Sequence, residues 1–125
     1  MDIDVDQIVD HYVAVWNEPD PELRRSAIAG LWAEDGIELV ESTRFQGHEE
    51  LDARIAEAHK EFVVNREFTV TSANDTFAHH DAVTFTIQLT TKDGELAWAA
   101  RVFLILGEDE LIRYDYQFTV KPLTV

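Results

Sequence analysis

The sequence contains no cysteine, which removes disulfides, thiolate metal sites and a thiol nucleophile at once. Proline and glycine are scarce, three and five in 125 residues, and no stretch has the composition of a linker. Basic residues are few. Ten Lys and Arg against 25 Asp and Glu leave a formal charge of −15. With a pI near 4.4, a binder of phosphate backbones is excluded, because affinity there comes from clustered bases. Docking on anionic membranes is disfavoured for the same reason. Long apolar runs are also missing: Leu96–Ala100 and Val102–Leu106 have five residues each, against the ~20 that span a bilayer. The lack of cysteine and the acidic start, Met1 to Asp6, fit a cytoplasmic protein without a secretory leader.

What is present is a core. An apolar content of 46% with 10% aromatics is far above that of a disordered acidic tail. The length suits one domain over 1–125. Val5, Ile8, Val9, Tyr12 and Trp16 recur at helical spacing, predicting a helix over about 4–17. Asp20 then caps a second helix that starts at Pro21, where a missing N–H costs nothing, and that runs to about 33–36. A short strand at 37–41 and a loop at 42–47 precede a third helix over about 48–64, its inner stripe being Leu51, Ile55, Ala58 or His59, and Phe62. From there the period shortens to two. Segments 66–73, 82–92, 95–106 and 111–120 alternate and are rich in Val, Thr, Phe and Tyr. Asp93-Gly94 marks a tight hairpin turn. Helices first and an antiparallel meander after them give an α+β domain.

The faces of these strands carry a further expectation. Val83, Phe85, Ile87 and Leu89 form one apolar face, with Thr84, Thr86, Gln88 and Thr90 opposite. Segment 95–106 is apolar on both sides, and a second covered face in so small a domain points to a homodimer through the outer sheet face.

This order of elements resembles the nuclear-transport-factor-two-like fold, and within it the SnoaL-like and ketosteroid isomerase-like proteins, actinobacterial members above all. The segments that carry the likeness are Leu31-Trp-Ala-Glu-Asp-Gly36, Tyr12-Val-Ala-Val-Trp-Asn-Glu-Pro-Asp20, His79-His-Asp-Ala-Val83 and Asp115-Tyr-Gln-Phe118. The resemblance implies a cone-shaped curved antiparallel sheet with three N-terminal helices on its concave face, enclosing a mostly apolar pocket. The expected partner is a small apolar or aromatic, oxygenated molecule. The expected activity is a cofactor-free acid/base isomerase, cyclase or hydrolase, or else a non-catalytic binding or dimerising module, since this fold serves both.

The family's catalytic patterns match only in part. Tyr12 corresponds to the oxyanion-donating tyrosine of ketosteroid isomerases, but the base position falls on Val40 and the second aspartate on Val102 or Phe103. In limonene-type epoxide hydrolases the water-side aspartate corresponds to Asp115 and the arginine to Arg101, while the tyrosine position falls on Glu38. Asp115, Glu38, Tyr12 and His59 are therefore the candidate catalytic groups, and Trp16, Phe62, Trp98, Arg101, Phe103 and Gln117 the candidate ligand contacts. Each has a plainer reading. Asp115 shares its face with Arg113, Gln117 and Thr119, which could equally be solvated. Glu38 alternates with Ile37 and Leu39 and could face water. Arg101 could pair structurally with Asp115 or Glu38. His59 could be a packed core histidine, and the aromatics are mostly core. His79-His80-Asp81 reads as a hairpin tip, because adjacent strand residues point to opposite faces. No metal-ligand spacing occurs, so no metal is expected.

Overall fold

The computed structural model describes residues 4–123. Three helices, α1 (Val5–Asn17), α2 (Pro21–Leu31) and α3 (Gly47–Ala58), accompany seven strands. The strands are β1 (Trp32–Val40), β2 (Thr43–Gln46), β3 (Thr69–Ser72), β4 (Phe77–His79), β5 (Ala82–Thr90), β6 (Leu96–Leu106) and β7 (Ile112–Lys121). The order β2-β1-β7-β6-β5-β3, with β4 also on β5, makes a curved, unclosed sheet. Pairing is antiparallel except between β1 and β7, which run parallel. Among the described residues, no helix is long and apolar enough to cross a membrane.

Local chemistry sets the helix starts. Asp4 Oδ1 accepts from the Gln7 N–H, and Asp20 Oδ1 accepts from the N–H groups of Glu22 and Leu23, with Pro21 in the first turn. These are the caps that short acidic side chains provide. Val9, Tyr12, Val15 and Trp16 of α1 are buried in one core with Ile28, Leu51, Ile55 and the inner residues of the sheet. Val83, Phe85, Ile87 and Leu89 are its contribution from β5, as the alternation predicted.

Several elements differ from the sequence reading. The second helix stops at Leu31, and β1 begins at Trp32 rather than Ile37. Trp32 pairs with Ile112 of β7, and the register then shifts before Ile37 pairs with Tyr114. Gly36 sits in that irregularity, where an added Cβ would lie 2.8 Å from the Ile112 carbonyl oxygen. Pairing with a distant strand overrides local helical preference here. The predicted loop at 42–47 contains β2, which turns back on β1 through Glu41 and Ser42, Glu41 holding φ 51°. The predicted strand at 66–73 is only four residues long, and β4 follows it. The long third helix also changes character: after Ala58 the backbone forms a π-helical segment, His59–Val64, whose Lys60 carbonyl accepts from the Asn65 N–H.

Candidate functional site

Parity along β1 and β7 decides which polar side chains turn inward. Glu38 is paired with Asp115 in the parallel β1–β7 ladder. On β7, Asp115 and Gln117 lie opposite Leu104 and Val102 of β6, which are fully buried. Asp115 and Glu38 are themselves wholly inaccessible, and Gln117 is nearly so. Tyr12 descends from α1 into the same space, where its ring meets those of Phe85 at 5.3 Å, Trp32 at 5.5 Å and Trp16 at 6.2 Å.

These four side chains form one hydrogen-bonded chain. The Tyr12 hydroxyl donates to Asp115 Oδ2 at 2.6 Å. Gln117 Nε2 donates to the Tyr12 oxygen at 2.8 Å and to Glu38 Oε2 at 2.8 Å. Glu38 Oε1 accepts from Arg54 Nε of α3 at 3.1 Å. Asp115 Oδ1 is buried with no hydrogen-bond partner in this structure.

The two carboxyls differ in proton affinity for a physical reason. Burial, and then the charge of Glu38, push the pKa of Asp115 well above the ordinary carboxylate range. Burial also raises Glu38, but the Arg54 guanidinium works against that rise. Of the two, Asp115 is driven further toward its protonated form, and Glu38 is the one whose charge Arg54 favours. Burial, with Asp115 and Glu38 nearby, raises Tyr12 far above the usual phenol value, so it remains a neutral donor.

A cavity of about 240 Å³ adjoins this network. Its apolar wall includes Trp16, Phe62, Val70, Ile87, Leu89 and Trp98. The polar groups that reach it are Gln117, Arg54, His59, Glu41, Gln88 and Thr119. Asp115, Glu38 and Tyr12 are not in its wall; Gln117 and Arg54 stand between them and the open space. His59 and Phe62 reach the wall from the π-helical segment, a form of helix frequent at functional sites. Burial, and then Arg24, lower the His59 pKa, which favours the neutral ring. Its Nε2 and the Trp16 Nε1 are buried without partners.

Two candidate contacts lie elsewhere. Arg101 pairs across the strands with Thr86, on the face opposite the core, and donates to Asp75 Oδ2 at 2.6 Å and to Thr84 Oγ1 at 2.9 Å. Phe103 has the same parity and is 39% exposed, its ring packed edge-on against Phe118. Neither lines the cavity, because strand alternation sends both outward. The partner of Arg101 is thus Asp75, not Asp115 or Glu38. His79 ends β4 and His80 stands in the turn to β5, yet their rings meet at 4.2 Å. The expected opposition of faces fails because His80 is in the turn, with φ 55°. Among the described residues, no three His, Asp or Glu side chains converge as a metal site would require.

Arg54 is the residue that sequence reasoning missed. A signal was available: it falls three residues after Leu51 and four before Ala58, on the flank of the apolar stripe.

No family model and no curated protein matches the chain. Solved structures do. A candidate isomerase of the SnoaL-like family from Agrobacterium tumefaciens str. C58 aligns at TM-score 0.83 and 23% identity, over 92% of this chain and 96% of its own. A SnoaL-like protein of unknown function from Burkholderia thailandensis aligns at 0.70 and 17%, over 93% and 94%. A protein with a ketosteroid isomerase-like fold from Catenulispora acidiphila, in complex with trimethylamine, aligns at 0.68 and 18%, over 90% and 84%. The likeness extends over nearly the whole chain, and its identities are those at which fold is shared. The fold of this protein is that of the SnoaL-like, nuclear-transport-factor-two-like and ketosteroid isomerase-like proteins.

Proposed function

We propose that this protein binds a small, largely apolar, oxygen-bearing molecule in the cavity between α3, the π-helical segment and the sheet. The observation that carries this reading is the junction of an apolar cavity with polar side chains fixed from behind. Both Gln117 Nε2 hydrogens are held by Tyr12 and Glu38, so its carbonyl oxygen is the part left for a ligand. Preorganised polar groups in a mostly apolar pocket are the usual makings of a small-molecule site. The test uses tryptophan fluorescence, since Trp16 and Trp98 line the cavity. One- and two-ring ketones and phenols are expected to quench it saturably, and Ala58→Phe, which fills the cavity from α3, is expected to abolish the effect. Equal quenching by the variant would overturn the reading.

Acid/base catalysis is the second reading, favoured by one observation. Asp115 and Glu38 are neighbouring buried carboxyls whose pKa values are both raised by burial, Asp115 the further because Arg54 works against the rise of Glu38. Carboxyls set apart by their surroundings are the pattern from which acid and base roles are built. Asp115, Glu38, Tyr12 and His59 are its candidate groups. Incubating a bound ketone in D₂O separates the two readings. Deuterium entering the ligand at carbon faster than in buffer supports catalysis, while binding without exchange leaves a binding module.

We also propose that two copies associate through the outer sheet face. Phe77, Phe103, Tyr114, Tyr116, Phe118 and Val120 are all exposed there, more apolar surface than a lone domain of this size ordinarily presents. Sedimentation at micromolar concentration is expected to give about twice the 14.3 kDa of one chain. Phe118→Lys is expected to return the monomer mass, and a monomeric parent would refute the dimer.

A further inference from the structure

We propose that Arg54 is the anchor for the carboxylate of a one-ring organic acid bound in the cavity. The inference rests on the cavity being a ligand site and adds the charge and size of the ligand.

Three observations carry it. The first is how the guanidinium is held. Its Nε is bound to Glu38 Oε1, and its Cζ lies 5.4 Å from the ring centres of both Trp16 and Phe45. A planar group fixed on one edge and packed on rings has little freedom left to lose on binding. The second is what it leaves free. Among the described residues neither Nη1 nor Nη2 has a hydrogen-bond partner. Unlike the ring nitrogens of Trp16 and His59, these atoms are not shut off from open space, and Arg54 lines the cavity. Two terminal amino groups in one plane present paired donors that match a carboxylate. The third is size. At about 240 Å³ the cavity falls below the ~300–1,000 Å³ of pockets for drug-sized ligands, so it suits one ring and a short chain.

The opposite charge is disfavoured by the same geometry. Trp16, a natural face for an organic cation, already has the Arg54 guanidinium beside it, and an ammonium in the cavity would meet a fixed positive charge. Among the described residues Glu41 is the sole acid in the wall, and it lies in the β1–β2 turn. Glu38 occupies the Nε edge of Arg54 and leaves the terminal edge to the ligand.

Three compounds of one shape test the inference in wild-type protein: 3-phenylpropionate, 3-phenylpropionamide and 2-phenylethylammonium, titrated by tryptophan fluorescence at fixed ionic strength. The carboxylate is expected to bind about tenfold or more tightly than the amide, the range of a charge-assisted pair over a neutral one. The ammonium is expected to bind weakest. In the double variant Arg54→Gln/Glu38→Gln, which removes both charges together, the preference for carboxylate is expected to vanish while the amide still binds. Equal or tighter binding of the amide or the ammonium to wild type overturns the anchor and leaves the cavity reading standing. If none of the three compounds binds wild type the anchor falls, and if the ketones and phenols also fail to quench, the cavity reading falls with it. Should the double variant not fold, the three wild-type affinities decide the matter alone.

Discussion

Arg54→Ala is expected to lower stability at pH 7 by about 3 kcal/mol, the lower end of the cost of removing one partner from a buried ion pair. Glu38 is the reason. Its side chain is wholly inaccessible, whereas that of Arg54 is 25% exposed, so the variant leaves a carboxylate in the core with Gln117 as its remaining partner. That carboxylate then takes up a proton more readily, because burial, which already raises its pKa, is no longer opposed by Arg54. The deficit should therefore shrink as pH falls toward 4, where the unfolded Glu is itself protonated. Adding Glu38→Gln is expected to recover most of the loss at pH 7, since the uncompensated charge is gone. Urea unfolding of the three proteins at pH 4 and 7 measures this. A single variant within about 0.5 kcal/mol of wild type at pH 7, the scale of an exposed pair, would show that the pair does not hold Glu38 in place.

Asp115→Asn is expected to be the more stable protein at pH 8, with an advantage that disappears near pH 4. The folded pKa of Asp115 is raised by burial and by Glu38, so the folded state keeps a proton that the unfolded chain releases near pH 3.9. Over that interval the unfolded state binds fewer protons. Stability then falls as pH rises from the unfolded pKa through the folded one. Each unit of difference is worth about 1.4 kcal/mol. Asparagine mimics the protonated acid: its oxygen still accepts from Tyr12, and its NH₂ takes the place of the unpartnered Oδ1. The comparison with wild type cancels the pH response of the other acids. An advantage that is constant from pH 4 to 8, or a variant less stable at pH 8, would mean that Asp115 is ionised in the folded protein.

Much of the fold was legible in the sequence because its signals are local. Asp20-Pro21 caps and starts a helix by the chemistry of two neighbouring residues, and α2 begins there. The alternation of Val83, Phe85, Ile87 and Leu89 marks one buried face without reference to any other strand. The start of β1 was not legible, since nothing near Trp32 announces a strand; its partner, Ile112, lies eighty residues away. The π-helical segment at His59 was hidden too, because its residues suit an α-helix equally well.

The candidate site divides in the same way. Tyr12, Asp115 and Glu38 stood out as residue types, and Gln117 followed from the parity of β7. The sequence also determined that Arg101 and Phe103 share a face with each other and not with Trp98, Val102 or Leu104, since strand side chains alternate. Which face met the helices was settled only in three dimensions, and with it the removal of both residues from the cavity. Tertiary structure alone brought Tyr12 to Asp115 across 103 residues of chain and set Arg54 against Glu38. Alternation and capping are written in residues one to four apart, and so can be read. A raised carboxyl pKa and a paired charge depend on which distant side chains are excluded from water together, and only the packed sheet and helices decide that.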